Sequence, residues 1–477
     1  MLVMKFGGTS LKNADLIDRA ARIVADRGAD NRILVVVSAL GDTTDRLEEA
    51  LSTARDRGGG YEGIIEEVLH DHRLLIRELF GEGEREITSF VEEELERLKK
   101  ICQSISVLGE LTPKTSDGVV SLGERFMSKI FSKKLSEIGV SASPFCATEL
   151  IVTDDNFGSA NPLTSPTRKK LEGELRPALN SGEIPVVTGF IGATEEGIPT
   201  TLGRGGSDYT ATLLGNLLGA RSIWIWTDVD GVKQADPAVV EESETLPKLT
   251  YEEAAELSYF GARVIHPRSI APAAREDIPV RIKNTSNPAG PDTIIEREGS
   301  STSGLKSVTF ISELALITVK GHGMIGVPGI AADVFSAVAQ AGANVLMISQ
   351  SSSEQNITFL VPREEAEEAL EALGEKLRRR IDFDYVEGIK REEPVSIVAA
   401  VGADLRHEPG VDALIFSSLA KREVNVISIA QGSSEHNLSF VVEGGKEKQA
   451  VEAVHECIKA VSKSSGRSTD PIFATSK

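Results

Sequence analysis

The sequence is poor in cysteine, and its few cysteines lie far apart. Cys102, Cys146 and Cys457 are the only three in 477 residues, and no two of them form a Cys-x-x-Cys motif. Disulfide frameworks and structural zinc sites both require closely matched sets of cysteine or histidine. We therefore expect small buried thiols, no metal-ligating residues of the protein's own, and the reducing environment of a cytoplasmic location.

Long apolar runs and an excess of basic residues are also missing. No stretch approaches the ~18 uninterrupted apolar residues of a membrane-spanning helix, and Leu2–Phe6 follows the first methionine without a charged and then apolar leader. The formal charge is −20, from 52 basic and 72 acidic residues, whereas nucleic acid binding requires clustered Lys and Arg. We expect no membrane or nucleic acid partner. A few local donors would still suffice for the phosphates of ATP.

The first 300 residues alternate between strand and helix patterns. A chain of 477 residues exceeds the ~250–300 residues of one compact domain. The run Ile33–Val37 is apolar throughout and bounded by turns, which predicts a strand buried on both faces of a parallel sheet. The pattern predicts an α/β sandwich ending near residue 300, with strands at 2–6, 33–37, 184–188, 222–226 and 280–283, helices at 14–24, 208–218 and 251–260, and a helical layer at 62–108.

Beyond this part the sequence repeats itself with an offset of 81, as from Gly321 to Gly402 and from Gln350 to Gln431. So many matches without a gap indicate two copies of one small α/β module. Each copy is predicted as strand, glycine loop, helix, strand, turn and strand. The strand candidate at 306–311 could join either module's sheet, so the modules could interleave. The predicted domains are 1–300, 312–390 and 393–465.

Two glycine-rich turns that precede helices are candidates for anion binding. The first contains Lys5 and the turn Gly7–Ser10, and the second is Gly203–Asp208. Glycine lets the backbone approach an anion closely, and a helix N-terminus offers free N–H groups. The first turn lacks the Gly-Lys-Ser/Thr of a Walker loop. Arg204 can bind a carboxylate or a phosphate through two parallel bonds, and Asp208 either caps its helix or orients Lys5 or a magnesium ion.

Two further segments carry acidic side chains at positions that suit ligands. Glu124 lies near the start of a helix, where it either interacts with the helix dipole or binds the ammonium group of a substrate. The segment Thr227–Val232 follows a strand rich in Trp and Ile. A loop at the carboxyl end of such a strand is a ligand-binding position, and the alternative is a simple Asp-Gly turn.

In this order, these segments resemble the signature set of aspartate kinases, and the repeats resemble tandem ACT domains. The resemblance implies an α/β amino acid kinase-type three-layer sandwich followed by two ACT-type α/β modules. Because the sequence stops after the second module, we expect no fused homoserine dehydrogenase. The segments that carry the resemblance are 5–10, 35–39, 121–125, 189–192, 203–208, 227–232 and 260–267.

The resemblance implies a role for each matching residue. Lys5 and Asp208 would be catalytic. The aspartate site would comprise Thr44, Glu124, Arg204, Gly205, Gly206 and Ser207. The ATP site would comprise Lys5, Gly7, Gly8, Ser10, Thr227, Asp228, Lys233 and Arg263.

Three positions on the nucleotide side depart from the pattern common in the family. Lys233, Ala238 and Arg263 stand where Tyr, Arg and Lys respectively are frequent. Arg263 keeps the charge, but a guanidinium does not replace an ammonium group atom for atom. We expect these departures to affect ATP affinity more than the reaction itself.

The implied reaction transfers the γ-phosphoryl group of ATP, with Mg²⁺, to the side chain of L-aspartate, the first step of lysine, threonine and methionine biosynthesis. Its nucleophile is a carboxylate with an ordinary pKa of ~3.9, already ionised at neutral pH. No general base is needed, which agrees with the lack of a recognisable catalytic His or Cys constellation. The alternatives are another amino acid kinase, of the glutamate 5-kinase or acetylglutamate kinase type, and a catalytically silent effector-binding protein.

An asymmetry between the two modules predicts regulation by an amino acid, with lysine or threonine as the leading candidates. The first module has the small loop 324–329, where the second has the bulkier and charged loop 405–410. A glycine loop at a helix start can bind an α-carboxylate. The predicted effector residues are Gly329, Asp333, Asn344 and Gln350. Open sheet edges in the modules also predict a homo-oligomer.

Overall fold

The chain folds into two contact units. The computed structural model describes residues 1–28, 30–262, 265–298, 304–351, 353–403, 405–431 and 436–465. The first unit comprises Met1–Val232, Thr245–Ala255 and Val264–Gly299, and the second comprises Lys233–Glu244, Glu256–Arg263 and Ser300–Lys477. Two short segments of the predicted catalytic part therefore belong to the second unit. The domain boundaries at 300, 312, 390 and 393 stay predictions.

The strands of the first unit are β1 (Leu2–Phe6), β2 (Ile33–Val37), β3 (Ala142–Phe145), β4 (Ile184–Thr188), β5 (Ile191–Ala193), β6 (Pro199–Thr201), β7 (Ser222–Thr227), β8 (Lys248–Leu249), β9 (Val280–Asn284) and β10 (Thr293–Ile295). Over the described residues, the main sheet has the order β3-β4-β2-β1-β7-β9-β10-β8. Its strands from β3 to β9 pair in parallel, and β10 runs antiparallel to β9. Strands β5 and β6 form a separate hairpin.

The helices of the first part of the chain are α1 (Ala14–Gly28), α2 (Thr43–Arg55), α3 (Tyr61–Phe80), α4 (Glu86–Leu108), α5 (Pro113–Val120), α6 (Leu122–Glu137), α7 (Ala147–Leu150), α8 (Thr164–Lys170), α9 (Arg176–Asn180), α10 (Gly206–Leu218), α11 (Tyr251–Tyr259) and α12 (Pro267–Arg275). A five-residue π-helical turn, Leu171–Leu175, joins α8 to α9. The charged stretch predicted as a helical layer is thus the pair α3 and α4.

Helices cover both faces of the sheet. Met4 and Phe6 of β1 share an apolar core with residues of α1 to α4 and α6. Successive strand residues point to opposite faces, and the intervening Lys5 contacts α10 instead. Strand β2 is buried at all five positions, as its unbroken apolar run predicts. The three-layer α/β sandwich expected from the sequence is confirmed.

The second unit is built on an antiparallel sheet with the order β12-β13-β11-β14-β16-β15 over the described residues. Its strands are β11 (Gly304–Lys320), β12 (Met347–Gln350), β13 (Asn356–Pro362), β14 (Gly388–Ala403), β15 (Val426–Ala430) and β16 (Asn437–Glu443), and its helices are α13 (Ile330–Gln340), α14 (Ala366–Asp382), α15 (Val411–Lys421) and α16 (Glu447–Ser465).

Strands β11 and β14 are long because each serves both modules. Residues 314–320 of β11 pair with β13 of the first module, whereas residues 307–311 pair with 397–401 of β14, in the second module's sheet. The modules therefore interleave, and the candidate strand 306–311 belongs to the second. Each module also ends in a helix, α14 or α16, which the sequence pattern of strand, helix and two strands did not include. An apolar stripe in each packs on the sheet.

Two simpler expectations from composition can be compared with the fold. The three cysteines are free, and Cys102 and Cys457 are buried as expected, whereas Cys146 is partly exposed. Within the described ranges, no helix is both long and apolar enough to cross a membrane.

Candidate active site

A polar pocket of about 600 Å³ lies in the first unit, at the carboxyl ends of β1, β2 and β4. This is the edge of a parallel α/β sheet at which ligands bind. The pocket brings together every residue predicted for the aspartate site and both predicted catalytic residues. They are Lys5, Thr44, Glu124, Arg204, Gly205, Gly206, Ser207 and Asp208.

Lys5 and Asp208 form an ion pair at the floor of the pocket. The Nζ–Oδ1 distance is 2.6 Å, and the two side chains are only 11% and 15% exposed. Lys5 lies on β1 between β2 and β7, and Asp208 lies in the first turn of α10. The helix is capped by Gly205 and not by Asp208, so of the two interpretations of Asp208 the orientation of Lys5 fits the geometry.

Glu124 is a buried acid with one unsatisfied oxygen. The residue is 3% exposed, and its Oε1 accepts a hydrogen bond from the Ala39 N–H at 3.3 Å. Its Oε2 is buried and has no partner in the described part of the chain. Burial raises the pKa of Glu124 to about 8, although backbone N–H groups and the charge of Lys5 oppose the shift. At neutral pH the raised pKa favours the protonated form of Glu124, and a cation beside it would favour the ionised form.

Arg204 offers the opposite charge on the same pocket. It is exposed and makes no hydrogen bond or ion pair with the residues that the structure describes. Its guanidinium is therefore free to bind a carboxylate through two parallel bonds. Glu124 and Arg204 together provide complementary groups for the two charged ends of an α-amino acid.

The turn after β1, which was predicted to bind phosphate, stands apart from the helix that follows it. Gly8–Ser10 forms a short 3₁₀ turn, and α1 begins only at Ala14, so the strand does not lead directly into a helix N-terminus. A Cβ atom on Gly8 would lie 3.1 Å from the Gly41 oxygen, so only glycine leaves room there. Ser10 is 1% exposed, and its hydroxyl accepts a bond of 2.7 Å from Thr285. The Ser10 side chain therefore faces the protein.

The predicted nucleotide loop after β7 is held by the loop after β9. The Thr285 N–H donates to the Thr227 carbonyl at 2.9 Å, and the Asn284 side chain donates to Asp230 Oδ1 at 2.8 Å. The Thr227 hydroxyl donates to Asp228 at 3.1 Å. The sequence reasoning missed Asn284 and Thr285, although they lie at the carboxyl end of β9, which pairs in parallel with β7.

Two residues that were predicted to bind ATP, Lys233 and Arg263, cannot be placed beside the nucleotide loop. Lys233 belongs to the second unit, and Arg263 lies outside the residues that the structure describes. Both stay predictions of the sequence.

In the second unit, a smaller pocket of about 360 Å³ contains part of the predicted effector site. Gly329 and Gln350 line it, together with Gly326 and Glu354. Glu354 was missed as a site residue, although it belongs to the repeated Gln-x-Ser-Ser-Glu motif, and its carboxylate accepts from the Gly326 N–H at 2.8 Å.

The other two predicted effector residues are not among those lining this pocket. Asp333 forms an ion pair with Arg380 at 3.1 Å. The exposed Asn344 donates its backbone N–H to a carboxylate oxygen of Glu365.

Comparison with known proteins identifies the fold and its relatives. The sequence model of the amino acid kinase family matches residues 1–284, and that of an ACT domain matches residues 317–377 and 398–458. The chloroplastic aspartokinase 2 of Arabidopsis thaliana is 34% identical over 459 residues, which cover 95% of this chain and 83% of that protein.

Bifunctional relatives match only in part. The chloroplastic bifunctional aspartokinase/homoserine dehydrogenase 2 of Arabidopsis thaliana is 38% identical over 461 residues, 95% of this chain and 50% of that protein. The chain thus spans about half the length of the first curated relatives that it matches.

Solved structures of an aspartokinase superpose on this chain. E. coli aspartokinase III in complex with aspartate and ADP (R-state) superposes with a TM-score of 0.82 at 30% identity, over 96% of this chain and 100% of that one. The same protein in complex with lysine and aspartate (T-state) gives a TM-score of 0.74 at 30% identity, over 96% and 99%. From its kinase sandwich to its paired ACT modules, the chain belongs to the aspartokinase family of amino acid kinases.

Proposed function

We propose that the chain is an aspartate kinase, which converts ATP and L-aspartate to ADP and 4-phospho-L-aspartate. The observation that carries the proposal is the meeting of Glu124, Arg204 and Lys5 in one pocket. The pocket offers an acid for the α-ammonium group, a guanidinium for the α-carboxylate, and a lysine for a phosphoryl group. Aspartate and ADP bind together in the related E. coli protein, which supports the same pair of ligands.

Substrate binding divides between the two ends of aspartate. The unsatisfied Oε2 of Glu124 accepts from the α-ammonium group, and the free Arg204 holds the α-carboxylate in a planar, bidentate pair. Ser207, Gly205 and Gly206 line the same pocket. With both ends fixed, the side-chain carboxylate is left to face Lys5.

Phosphoryl transfer then depends on positioning and electrostatics. The attacking carboxylate needs no deprotonation, so the protein must bring two anions into line and offset their repulsion. Lys5, oriented by Asp208 at 2.6 Å, stabilises the charge that develops on the transferred group. A Cβ atom on Gly7 would lie 3.3 Å from Lys5 Nζ, so the glycine leaves room for the phosphates of ATP beside Lys5.

The proposed reaction also includes Mg²⁺, which would bind together with ATP. Among the described residues, there is no group of three or more His, Cys, Asp or Glu side chains that could hold a metal ion. This fits an ion bound mainly by substrate phosphates and water, as Mg²⁺ commonly is in kinases. When bound, the ion would neutralise phosphate charge, and Asp208, which lines the pocket, would be its candidate protein contact.

Regulation and assembly are assigned to the ACT modules. The pocket at Gly329 and Gln350 has room for an amino acid, and the E. coli relative binds lysine as well as aspartate. We propose lysine as the first effector to test, with threonine second. The exposed side chains of Ile348 and Ile429 in the ACT modules favour a homo-oligomer, and a cytoplasmic location stays a prediction from the sequence.

Both alternatives from the sequence lose support. The acetylglutamate kinase type requires a substrate whose amine is acylated and uncharged, which leaves nothing to ionise the buried Glu124. For a glutamate kinase, the evidence against is the family match to aspartokinases. A catalytically silent protein would have no need of Lys5, Asp208 and Arg204 together, and all three line the pocket.

The test is ADP release by the purified chain with ATP and Mg²⁺ and, in turn, aspartate, glutamate or N-acetylglutamate. Trapping with hydroxylamine identifies an acyl phosphate product. We expect turnover with aspartate and at least about 100-fold lower kcat/KM with the other two, because the pocket's charged groups are then unpaired or displaced. Preference for either of the other substrates would overturn the proposal.

A further inference from the structure

A second buried acid, Asp117 of α5, lines the same pocket but has no role in the mechanism above. It is 3% exposed. Its partners in the described chain are all uncharged. The Gly158 N–H donates to both of its oxygens, at 3.1 and 2.9 Å, and the Thr201 N–H and hydroxyl donate at 2.8 and 2.9 Å. A buried carboxylate is costly unless its oxygens are satisfied, and here both oxygens bind the backbone of other segments.

Of the two segments that Asp117 holds, one leads directly to the substrate loop and the other lies against it. Thr201 is the last residue of β6 and is followed by Leu202, Gly203 and Arg204. Gly203 has a φ of +76°, and a Cβ atom there would lie 3.1 Å from Ser159 Oγ and 3.3 Å from the Gly158 oxygen. The segment around Gly158 is thus the surface on which the Gly203 turn rests.

Arg268 of α12 fastens the same two segments at a second point. One of its terminal nitrogens donates to the Leu202 carbonyl and to Ser159 Oγ, both at 3.1 Å, and the other donates to the Ala160 carbonyl at 2.9 Å. The Ala160 N–H in turn donates to the Thr201 carbonyl at 2.8 Å. Unlike Arg204, Arg268 has its donors engaged by the protein.

We propose that Asp117 is a positioning residue for aspartate binding, which, together with Arg268, fixes the backbone from which Arg204 reaches the α-carboxylate. The inference rests on the proposed function. Within the described residues, the side chain of Asp117 bonds to Gly158 and Thr201 and makes no hydrogen bond or ion pair with the predicted ATP segments, Gly7–Ser10 and Thr227–Asp228. Its effect is therefore confined to one substrate. A misplacement of about 1 Å in a substrate-holding group can cost ~10²-fold in rate.

The first variant is Asp117→Asn, which keeps the shape but places an NH₂ group against N–H donors. We expect the KM for aspartate to rise about ten-fold or more, a fraction of what such misplacement can cost. The KM for ATP should stay within about two-fold and kcat should fall less than the aspartate KM rises. A merely structural role would lower the amount of active enzyme and leave both KM values unchanged.

The melting temperature shows whether Asp117→Asn folds. If it does not fold, two variants of Thr201 test the inference in its place. Thr201→Val removes the hydroxyl donor to Asp117 at nearly constant volume, and Thr201→Ser retains it. We expect a higher aspartate KM in Thr201→Val and a value near wild type in Thr201→Ser.

Equal aspartate KM values in the two Thr201 variants, or a parallel rise of the ATP and aspartate KM values in Asp117→Asn, would overturn the inference. Failure of the proposed function is a different observation, because the wild-type chain would then release no aspartate-dependent ADP, and the inference would fall with it.

Discussion

At the scale of single residues, the site depends on how burial changes acids that look ordinary in the sequence. Glu124 could be interpreted from sequence either as a helix-dipole residue or as an ammonium ligand. The structure adds its burial, its unsatisfied Oε2 and a pKa raised to about 8. These three facts favour the ligand role, because a buried acid of this kind gains most from an arriving cation.

The raised pKa predicts a pH dependence for aspartate binding. Below about pH 8 the free enzyme holds Glu124 protonated, and pairing with an ammonium group requires its ionised form. Binding at neutral pH should therefore release a proton, and affinity for aspartate should increase as the pH rises from 6 to 8. Titration calorimetry in two buffers of different ionisation enthalpy measures the proton count directly.

The matched control is Glu124→Gln, which keeps the shape and removes the titration. It should bind aspartate more weakly, with no proton release attributable to this site. The stability of the empty protein gives an independent check. Because the folded-state pKa is raised, wild type should lose stability as the pH rises from about 4.5 to 8, and Glu124→Gln should lose less. The same proton release in wild type and variant would refute the assignment.

At the scale of elements, the buried strands were predicted well, because a strand buried on both faces is an unbroken run of apolar residues. The predicted β1, β2 and β4 bounds match the structure. The helix predicted at 14–24 begins at Ala14 as expected, although the 3₁₀ turn Gly8–Ser10 lies between it and β1. Asp117 was missed since its partners lie 41 and 84 residues away, and a lone acid in a helix resembles a solvated residue.

The next prediction concerns Asn284, the last residue of β9. Asn284 holds the nucleotide loop through Asp230 at 2.8 Å, within the first unit. Asn284→Ala should raise the KM for ATP several-fold, because the Thr227–Gly231 loop loses its anchor, and should leave the KM for aspartate nearly unchanged. Asn31→Ala, which removes an exposed bond to the Arg27 carbonyl, is the control and should change neither. A larger effect on aspartate than on ATP would contradict the assignment.

The prediction of a homo-oligomer concerns β12 and β15, the end strands of the sheet in the second unit. Ile348 on β12 and Ile429 on β15 occupy equivalent repeat positions and are 51% and 45% exposed. Exposed apolar residues favour pairing with another copy. Ile348→Lys combined with Ile429→Lys should shift the mass seen by light scattering towards the monomer. Val107→Lys, at a 75% exposed valine of α4, is the control. An unchanged mass in the double variant would show that these edges do not form the interface.

At the scale of the whole molecule, the repeat was visible in the sequence, but its interleaving needed the structure. An offset of 81 residues shows two copies without showing that β11 and β14 each serve both sheets. Strand pairing is a long-range property that local patterns do not specify. For the same reason, the sequence suggested Asp333 for the effector site, whereas the fold pairs it with Arg380.

The repeat also supplies a matched test of regulation. Gln350 lines the pocket of the first module, and Gln431 is its repeat counterpart in the second. Gln350→Ala should raise the lysine concentration for half-inhibition about ten-fold, as expected when about 1 kcal/mol or more of differential binding is lost. Gln431→Ala should leave it near wild type. Equal effects of the two changes, or no response of the wild type to lysine or threonine, would contradict an effector site in the first module.

The most direct test of the central claim is the rate of aspartate phosphorylation by wild type and by Lys5→Ala, measured as hydroxylamine-trapped acyl phosphate. Lys5 meets Asp208 at 2.6 Å inside the pocket, where one oriented donor is worth ~10²–10³ in rate. We predict robust product formation by wild type and a loss of that size in a Lys5→Ala protein with unchanged melting temperature. No product from wild type, or a variant with near-normal kcat, would contradict the account.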